Sequence, residues 1–256
     1  MKENFKNINI LVIGDSCIDI FRYGYTLRLA PEGPAPVFNP IRDVSNGGMA
    51  SNVKANITAI GAKATLITQK EEITKVRYID ERTNSLLLRV DSNDKSSRIE
   101  KNIIENIIDN KFEDTIYDAI IVSDYCKGFL LEEDIYNISQ RNSNIFLDTK
   151  KILGDWCKNI SFIKINESEF DRTFHTIEKL EIDNSLIITR SDKGCEYNKN
   201  IFPVEKVNIK ELSGAGDTFI SGLAVNFAKT KSIFDAITFA QECATKVVQK
   251  RGVCTI

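Results

Sequence analysis

The sequence contains a single histidine, and its six cysteines lie far apart with no CxxC pair among them. A zinc site needs closely spaced cysteine or histidine ligands, and a disulfide framework needs a short, cysteine-dense chain. Neither is predicted here. His175 lies in a polar segment, which favours a surface position over a catalytic or metal-binding role.

An excess of charge of one sign is also lacking. Lysine and arginine total 34 and aspartate and glutamate 36, which gives a net charge of −2, and no basic block occurs. A nucleic-acid partner held by bulk charge is therefore not expected. No apolar run approaches the roughly 18 residues of a membrane span, so no membrane partner is expected. The N-terminal apolar run is too short for a signal peptide, and we expect a cytoplasmic protein.

The chain does have enough apolar residues, 42% of 256, for one large domain or two small ones. A β-branched run at 8–13 is typical of a strand buried on both faces of a parallel sheet. Similar runs recur at 64–67, 119–122, 145–147, 162–165 and 185–189. Stretches with helical apolar spacing lie at 50–60, 99–108, 131–139, 217–228 and 233–249. This alternation predicts an α/β fold with a three-layer, doubly wound, mostly parallel sheet.

Two stretches break this alternation. Residues 25–40 contain four of the five prolines, so a strand at 35–39 could only be an edge or lid strand. In 74–91, apolar and charged residues alternate on both sides of a polar turn, which predicts a hairpin with one wet face. We expect a single domain, 1–256, from which a small β lid projects, with strands from about 22–40 and 74–91. Because its edges would expose apolar residues such as Val37, Val76 and Leu88, we predict a homodimer formed through the lids.

The most specific candidate motif is Gly214-Ala215-Gly216-Asp217, which precedes a helical stretch. Closely spaced glycines let the backbone approach a bulky anion, and a helix N-terminus directs free N–H groups at it. Asp217 then stands where a carboxylate could take the proton of an incoming hydroxyl, as the base does in phosphoryl transfer. The plainer alternative is a tight turn followed by a helix cap.

Two further segments favour ligand binding more weakly. Gly47 and Gly48 precede a predicted helix, and Asn52 offers a donor and an acceptor to a sugar hydroxyl. Asn166 and Glu169 follow a predicted strand, where a carboxylate can hold hydrated magnesium beside phosphates. Taken singly, the first segment is also typical of a loop-to-helix turn and the second of a helix start.

The motifs of the chain occur in an order that a known family shares. They are Gly14-Asp15 with Asp19, Gly47-Gly48 with Asn52, Ser123-Asp124-Tyr125-Cys126-Lys127-Gly128, Asn166 with Glu169, Thr189-Arg190-Ser191 with Gly194, and Gly214-Ala215-Gly216-Asp217. In this order they resemble the ribokinase-like (PfkB) carbohydrate kinases. Within that family the chain is most similar to kinases of D-glycero-D-manno-heptose 7-phosphate, through Pro31-Glu32-Gly33-Pro34-Ala35-Pro36-Val37, Ile73-Thr74-Lys75-Val76-Arg77 and the Asp-Tyr-x-Lys-Gly segment. The resemblance runs from Ile8 to Ile256.

The resemblance implies ATP- and Mg²⁺-dependent phosphorylation of D-glycero-D-manno-heptose 7-phosphate at its anomeric hydroxyl. It implies that Asp217 is the catalytic base and that the amides of Gly214, Ala215 and Gly216 stabilise the transferring phosphoryl group. The residues implied to hold the sugar are Asp15, Asp19, Gly47, Gly48 and Asn52, and those implied to meet its phosphate are Lys127 first, then Lys75 and Arg77. The residues implied to border the nucleotide are Asn166, Glu169, Thr189, Arg190, Gly194, Ala240 and Cys243, of which Asn166 and Glu169 would order magnesium through water.

The chain departs from the family's pattern at three places. The segments after Thr68 and after Glu169 are shorter than usual, and Glu211 replaces an aspartate that relatives associate with a monovalent cation, so potassium dependence is left open. The alternatives are a kinase of another sugar or a nucleoside, and a sugar- or nucleotide-binding regulatory protein that has lost turnover. The presence of Asp217 and its glycines favours a kinase. A nicotinamide-dependent oxidoreductase is excluded, because Gly14-Asp15-Ser16 stands in place of a GxGxxG turn.

Overall fold

The structure is a computed structural model that describes residues 5–108, 115–141, 144–250, 252 and 254–256. The strands in these ranges are β1 (Asn9–Gly14), β2 (Ser16–Leu29), β3 (Pro36–Met49), β4 (Lys63–Ile67), β5 (Thr74–Asp80), β6 (Leu86–Ser92), β7 (Ala119–Asp124), β8 (Ile145–Thr149), β9 (Phe162–Asn166), β10 (Leu186–Thr189), β11 (Cys195–Tyr197) and β12 (Asn200–Phe202). The α-helices are α1 (Ala50–Ile60), α2 (Lys101–Ile108), α3 (Glu132–Ser139), α4 (Glu167–Leu180), α5 (Ala215–Thr230) and α6 (Ile233–Val248). None of these helices is long and apolar enough to cross a membrane.

A central sheet of eight strands has the order β12-β11-β10-β9-β8-β7-β1-β4. The strands from β10 to β4 run parallel to one another, and β11 and β12 are antiparallel. The prediction of a mostly parallel sheet is therefore confirmed. Each apolar run found in the sequence is one of the parallel strands, with ends that differ by one or two residues.

The side chains of β1 explain why this sheet is covered on both faces. Leu11 and Ile13 pack into one apolar cluster, and Ile10 and Val12, which point the other way, pack into a second. The first cluster contains buried residues of α2, α3 and α4, and the second contains those of α1, α5 and α6. A helix layer on each face gives the three-layer α/β architecture that the alternation predicts.

The other four strands form a separate sheet, called the lid here, in the order β3-β2-β5-β6. Strand β3 is an edge strand and carries Pro36 and Pro40, in keeping with the missing N–H of proline. Strands β5 and β6 form the antiparallel hairpin expected from the alternation. The lid is longer than the predicted 22–40, because β2 begins at Ser16 and β3 continues to Met49. Gly47 and Gly48 therefore end a strand and do not form a loop before α1.

Two regions contain structure that the apolar pattern did not predict. Helix α4 starts directly after β9, because the Asn166 side chain accepts a hydrogen bond from Glu169 N (2.8 Å) and the Glu169 carboxylate accepts one from Asn166 N (2.9 Å). This reciprocal capping box ties the helix start to the strand end. The hairpin of β11 and β12 extends the sheet beyond β10 with strands of three residues each, too short to show a periodicity.

Candidate active site

The first turn of α5 is shaped to admit an anion. Gly214 precedes the helix with a φ of 83°, in the left-handed region that favours glycine. A Cβ at Gly216 would lie 2.9 Å from Lys164 Nζ, so the backbone here lies close to the ammonium group. The amide of Ala215 already donates to Leu212 O (3.2 Å), whereas those of Gly214 and Gly216 donate to no group among the described residues. Two of the three amides expected to form the anion hole are therefore open to a ligand.

Asp217 lies in this turn with its carboxylate buried. Its Oδ1 accepts a hydrogen bond from Tyr125 Oη (2.6 Å), and its Oδ2 accepts one from Asn52 Nδ2 (2.8 Å). Burial raises the pKa of Asp217 to about 6, although the two hydrogen bonds act in the opposite direction. A carboxyl group with this pKa is ionised at neutral pH and close to the range of an effective general base.

Asn52 is oriented by buried polar neighbours on α1 and α5. Asn56 Nδ2 donates to Asn52 Oδ1 (3.2 Å), and Thr218 Oγ1 donates to Asn56 Oδ1 (3.2 Å). Because the Asn52 oxygen is engaged on this side, its amide nitrogen faces Asp217. The sequence analysis identified Asn52 but missed Asn56, one turn later on the helix.

The lid contributes an ion pair on the sugar side. Asp19 of β2 and Arg77 of β5 form a close, largely buried salt bridge across neighbouring strands. A Cβ at Gly48 would lie 2.3 Å from Asp19 Oδ2, and one at Gly47 would lie 2.7 Å from Ser51 Cβ. The two glycines thus allow β3 to approach the carboxylate and the start of α1.

Asp15 has a different position from the expected one at the sugar ring. It is fully buried, and its carboxylate accepts hydrogen bonds from the backbone amides of Tyr125 (2.7 Å), Lys127 (3.3 Å) and Phe129 (3.4 Å). Burial raises the pKa of Asp15, and these amide hydrogen bonds lower it in part. Asp15 therefore anchors the loop after β7 through three backbone amides.

A cavity of about 790 Å³ lies beside the start of α5, at the carboxyl ends of β8, β9 and β10. Asn166, Thr189 and Gly194, all predicted to border a nucleotide, line it. Gly194 has a φ of 88°, and a Cβ there would lie 1.9 Å from Phe202 O, so no other residue fits. The guanidinium of Arg190 binds Glu167 (3.0 Å) and Glu196 (2.9 Å), and Arg190 does not line the cavity.

Comparison with known proteins identifies the family. The sequence model described as pfkB family carbohydrate kinase matches residues 68–256. The chain belongs to the PfkB family of carbohydrate kinases. Kinases are phosphotransferases, which is the reaction class that the resemblance implied.

Curated relatives in this family share the whole length of the chain. The bifunctional protein HldE of Vibrio vulnificus is 28% identical over 302 residues and that of Blochmanniella pennsylvanica 26% over 296 residues. These alignments include 99% and 98% of the chain but 62% of each relative, so the chain spans about 62% of the length of these proteins. The alignments, of 302 and 296 residues, are longer than the chain of 256 residues, which agrees with the shortened segments that the motif spacing indicated.

Solved structures support the ribokinase-like fold. Ribokinase of Thermotoga maritima has a TM-score of 0.71 at 16% identity and covers 96% of this chain and 94% of its own. Phosphofructokinase-2 of Escherichia coli, in complex with potassium, has a TM-score of 0.70 at 14% identity, with 97% and 95% covered. A ribokinase of Arabidopsis thaliana complexed with ribose and ATP has a TM-score of 0.66 at 14% identity, with 96% and 94% covered.

The side of α6 that faces the cavity differs from the expected one. Ala240 and Cys243 are buried against α5, where Gly222 leaves room for them: a Cβ at 222 would lie 3.1 Å from Ala240 Cα and 3.3 Å from Cys243 Sγ. The α6 residues that line the cavity are Gln241, Ala244, Thr245 and Val248. Ala240 and Cys243 therefore do not line the cavity, and the nucleotide contact expected of them stays a prediction.

Sequence reasoning missed a buried ionic network at the floor of the cavity. Asp148, at the end of β8, binds Lys164 of β9 (2.8 Å), and Lys150 lies 3.7 Å from Asp148 and in close contact with Glu169. Burial opposes ionisation of Asp148, but the two lysines lower its pKa below the usual value. A lysine inside an apolar strand run was the available signal, because an ionised group is buried only with a partner.

The cavity has oxygen ligands suited to magnesium, which prefers carboxylate and amide oxygens. Asp148 Oδ1 is buried without a hydrogen-bond partner and lies in the cavity wall. Asn166 lines the same cavity. Glu169 does not line it, and its oxygens bind Lys150 and the Asn166 amide. The donor set therefore fits a hydrated Mg²⁺ ion, with Asp148 a better candidate ligand than Glu169. Glu211, at the expected monovalent-cation position, accepts a hydrogen bond from Ser213 N (2.9 Å).

The three cations considered for a substrate phosphate have different surroundings. Lys127 Nζ binds Asp94 Oδ2 (2.5 Å), and Arg77 is paired with Asp19. Lys75 is only 9% exposed, and its ammonium group lies 3.2 Å from Met49 Sδ and 5.6 Å from the centre of the Tyr125 ring. Among the described residues, no carboxylate lies within salt-bridge distance of Lys75.

Proposed function

We propose that this chain is an ATP-dependent kinase of a sugar phosphate, and that the substrate is D-glycero-D-manno-heptose 7-phosphate, phosphorylated at its anomeric hydroxyl. The observation that carries the sugar-phosphate class is the buried Lys75 ammonium group, which has no carboxylate partner in the described part of the chain. The heptose itself rests on the resemblance of the lid motifs.

A buried ammonium group is costly unless an anion or several dipoles compensate it. The Met49 sulfur and the Tyr125 ring supply only weak compensation. A substrate phosphate would compensate the ammonium charge fully, through a charge-assisted hydrogen bond. Lys75 therefore takes the place that the sequence gave first to Lys127, which would have to leave Asp94 before it could bind a phosphate.

Asp217 acts in this proposal as the base. Its ionised carboxylate accepts the proton of the attacking sugar hydroxyl, while Tyr125 and Asn52 hold its two oxygens in place. The open amides of Gly214 and Gly216, with Lys164 directly behind Gly216, stabilise the negative charge of the transferring phosphoryl group.

ATP would occupy the cavity beside α5, and Asp148 with Asn166 would hold Mg²⁺. The magnesium ion would supply charge neutralisation on the phosphates. The Arabidopsis ribokinase of the same fold is complexed with ribose and ATP, which supports this choice of nucleotide.

We also propose that the chain forms a homodimer through its lid. The lid strands carry exposed apolar side chains, namely Leu27, Leu29, Ile41, Val44, Leu86, Leu87, Leu88 and Val90. Exposed apolar residues on one sheet favour an interaction surface. Leu88 was expected in it, whereas Val37 and Val76 are half-buried and contribute little.

A substrate panel tests the proposed activity. ADP release would be measured with Mg-ATP and heptose 7-phosphate, other sugar phosphates, the matching free sugars and a nucleoside, and ³¹P NMR would locate the new phosphate. We expect the highest kcat/KM for a sugar phosphate and an anomeric phosphate in the product. A preference for a free sugar or a nucleoside would overturn the substrate class. ATP binding with no turnover on any substrate would support the regulatory alternative.

A further inference from the structure

Tyr125 contacts the proposed base directly, although the sequence motif that contains it implied no role for it. It follows β7, and its hydroxyl donates a 2.6 Å hydrogen bond to Asp217 Oδ1, across 92 residues of sequence. The other carboxylate oxygen accepts from Asn52. With one donor on each oxygen, the plane of the carboxylate is fixed, and one further lone pair on each oxygen is left for a substrate.

The position of Tyr125 is itself strongly determined. Its backbone amide donates to the buried carboxylate of Asp15 (2.7 Å), and the next residue, Cys126, has a φ of 57° that turns the chain away. The ring lies between two lysines, with Lys75 Nζ 5.6 Å and Lys150 Nζ 5.3 Å from its centre. The first lysine belongs to the lid and the second to the nucleotide cavity, so the ring stands where the two halves of the site meet.

We propose that Tyr125 is a positioning residue for the base: its hydroxyl fixes the orientation of the Asp217 carboxylate and favours its ionised form. This inference rests on the proposed function in one respect, the role of Asp217 as base. In the reaction, the sugar O–H bond breaks, its proton moves to Asp217, and the sugar oxygen forms the new bond to phosphorus while the bond to the leaving nucleotide oxygen breaks. The proton of Tyr125 stays on the phenol.

The other groups around Asp217 do not replace this hydrogen bond. Asn52 of α1 donates to the second oxygen but is neutral at all pH values. Asp148 of β8 raises the pKa of Asp217, and Lys164 of β9 lowers it. Lys150, and on the lid side Cys17 and Lys75, are the remaining charged or titratable groups nearby. Both donors stabilise the charge of the carboxylate, and the phenol, with the shorter hydrogen bond, lowers the pKa of Asp217 more than Asn52 does.

The pH dependence of kcat/KM for the best substrate tests the proposal. Tyr125→Phe removes the donor and leaves the ring between its lysines. Because a hydrogen bond to a charged group is lost, we expect the acid limb of the profile to move up by about one to two pH units. Turnover at pH 8 should then stay below that of the wild type, through looser orientation of the base. ATP affinity, measured by titration calorimetry, should not change.

Tyr197→Phe is the matched control. It also removes a tyrosine hydroxyl, one that donates to Asn184 O (2.9 Å), and Tyr197 does not line the cavity. Its pH profile should coincide with that of the wild type. An acid limb that stays in place in a folded Tyr125→Phe protein would overturn the proposal.

Site-specific incorporation of 3-fluorotyrosine at 125 gives a second measurement that does not depend on the folding of the phenylalanine variant. The fluorinated phenol is a stronger donor, so the acid limb should move down instead of up. A limb that does not move, or moves up, contradicts the proposal. If Asp217→Asn keeps full activity, the proposed base is wrong. If Asp217→Asn is inactive and the acid limb does not move in the Tyr125 variants, only the positioning role is wrong.

Discussion

Asn52 of α1 and Asp217 of α5 meet in a 2.8 Å hydrogen bond at the interface of the two helices. Helix α1 begins directly after the lid strand β3, and the residue at the junction, Met49, has a φ of 59° and touches Lys75 of the lid. The base is thus joined through a single helix start to the sheet that would cover the sugar. In the proposed function, Asn52 would therefore link sugar binding at the lid to proton transfer at Asp217.

Replacement of the base should remove turnover while leaving the fold intact. In Asp217→Asn, the side-chain amide oxygen can still accept one of the two hydrogen bonds, but it cannot take a proton. We expect kcat to fall by about 10²–10⁴, the usual contribution of general-base catalysis. ATP binding should persist, and a variant with near-normal kcat would show that Asp217 is a structural residue and not the base.

The same variant should be more stable than the wild type at neutral pH. The folded-state pKa of Asp217 is about 6, whereas an unfolded aspartate has a pKa of about 3.9. Between these values the folded state binds more protons than the unfolded state, so this carboxyl lowers stability as pH rises through the window. The difference in unfolding free energy, variant minus wild type, should therefore grow from pH 4 to pH 7 by up to about 3 kcal/mol.

Urea denaturation at the two pH values measures this difference, and all groups that titrate identically in both proteins cancel. A difference that stays constant or shrinks as pH rises would contradict the raised pKa. A gain in stability with a loss of turnover would identify the buried carboxylate as a stability cost that is retained for function.

Lys75 should determine the preference for a phosphorylated substrate. Lys75→Met keeps the volume of the side chain and removes the charge, so the loss should be confined to substrates that carry a phosphate. We expect kcat/KM for the sugar phosphate to fall. The loss of transition-state stabilisation should be roughly 1.5–3 kcal/mol, the value of a hydrogen bond to a charged group. Activity on the matching free sugar should hardly change.

Lys127→Met is the comparison, because Lys127 has a carboxylate partner in Asp94. Its effect on the sugar phosphate should be the smaller of the two. If Lys127→Met is the more damaging variant, the sequence-based preference for Lys127 was right and Lys75 has only a packing role. Equal losses on the free sugar and its phosphate would mean that neither residue recognises the phosphate.

The central sheet was predictable because each buried strand is a continuous apolar run in the sequence. β1, for example, has apolar side chains at successive positions, since both of its faces are covered. β2 gives no such signal. Its apolar residues are interrupted by Asp19 and Arg22, which pair with Arg77 and Asp43 across neighbouring strands. The length of the lid therefore depends on partners that a local pattern does not contain.

The site divides in the same way. Asp217 and its glycines, Asn52 and Asn166 stand in contiguous motifs, and the sequence identified them. Tyr125 acquires its place only when β7 and α5 are brought together. The sequence also did not show the surroundings of Asp15, because the amides that it binds belong to residues more than 100 positions away.

Charge on the lid should disrupt the proposed dimer. Leu86 and Leu88 lie on the edge strand β6, 58% and 56% exposed. Changing both to aspartate should convert the dimer to a monomer in light scattering at micromolar concentration. Ile201→Asp is the control, because Ile201 is equally apolar and 74% exposed but lies on β12 of the central sheet. A wild type that is already monomeric would rule out the lid interface.

The buried pair of Lys164 and Asp148 should be needed for both stability and turnover, but for separable reasons. Among the described residues, Lys164→Met leaves the Asp148 carboxylate with Lys150, at 3.7 Å, as its one cationic partner. We expect the free energy of unfolding to fall by about 3–5 kcal/mol, the usual result of removing one partner of a buried ion pair. The double variant Lys164→Met/Asp148→Leu removes both charges and should recover most of that stability in denaturant titrations. Turnover should not recover, because the ammonium group behind Gly216 and the proposed magnesium ligand are both absent. A double variant with wild-type kcat would mean that the pair serves only the fold, and a single variant as stable as the wild type would mean that water reaches Asp148.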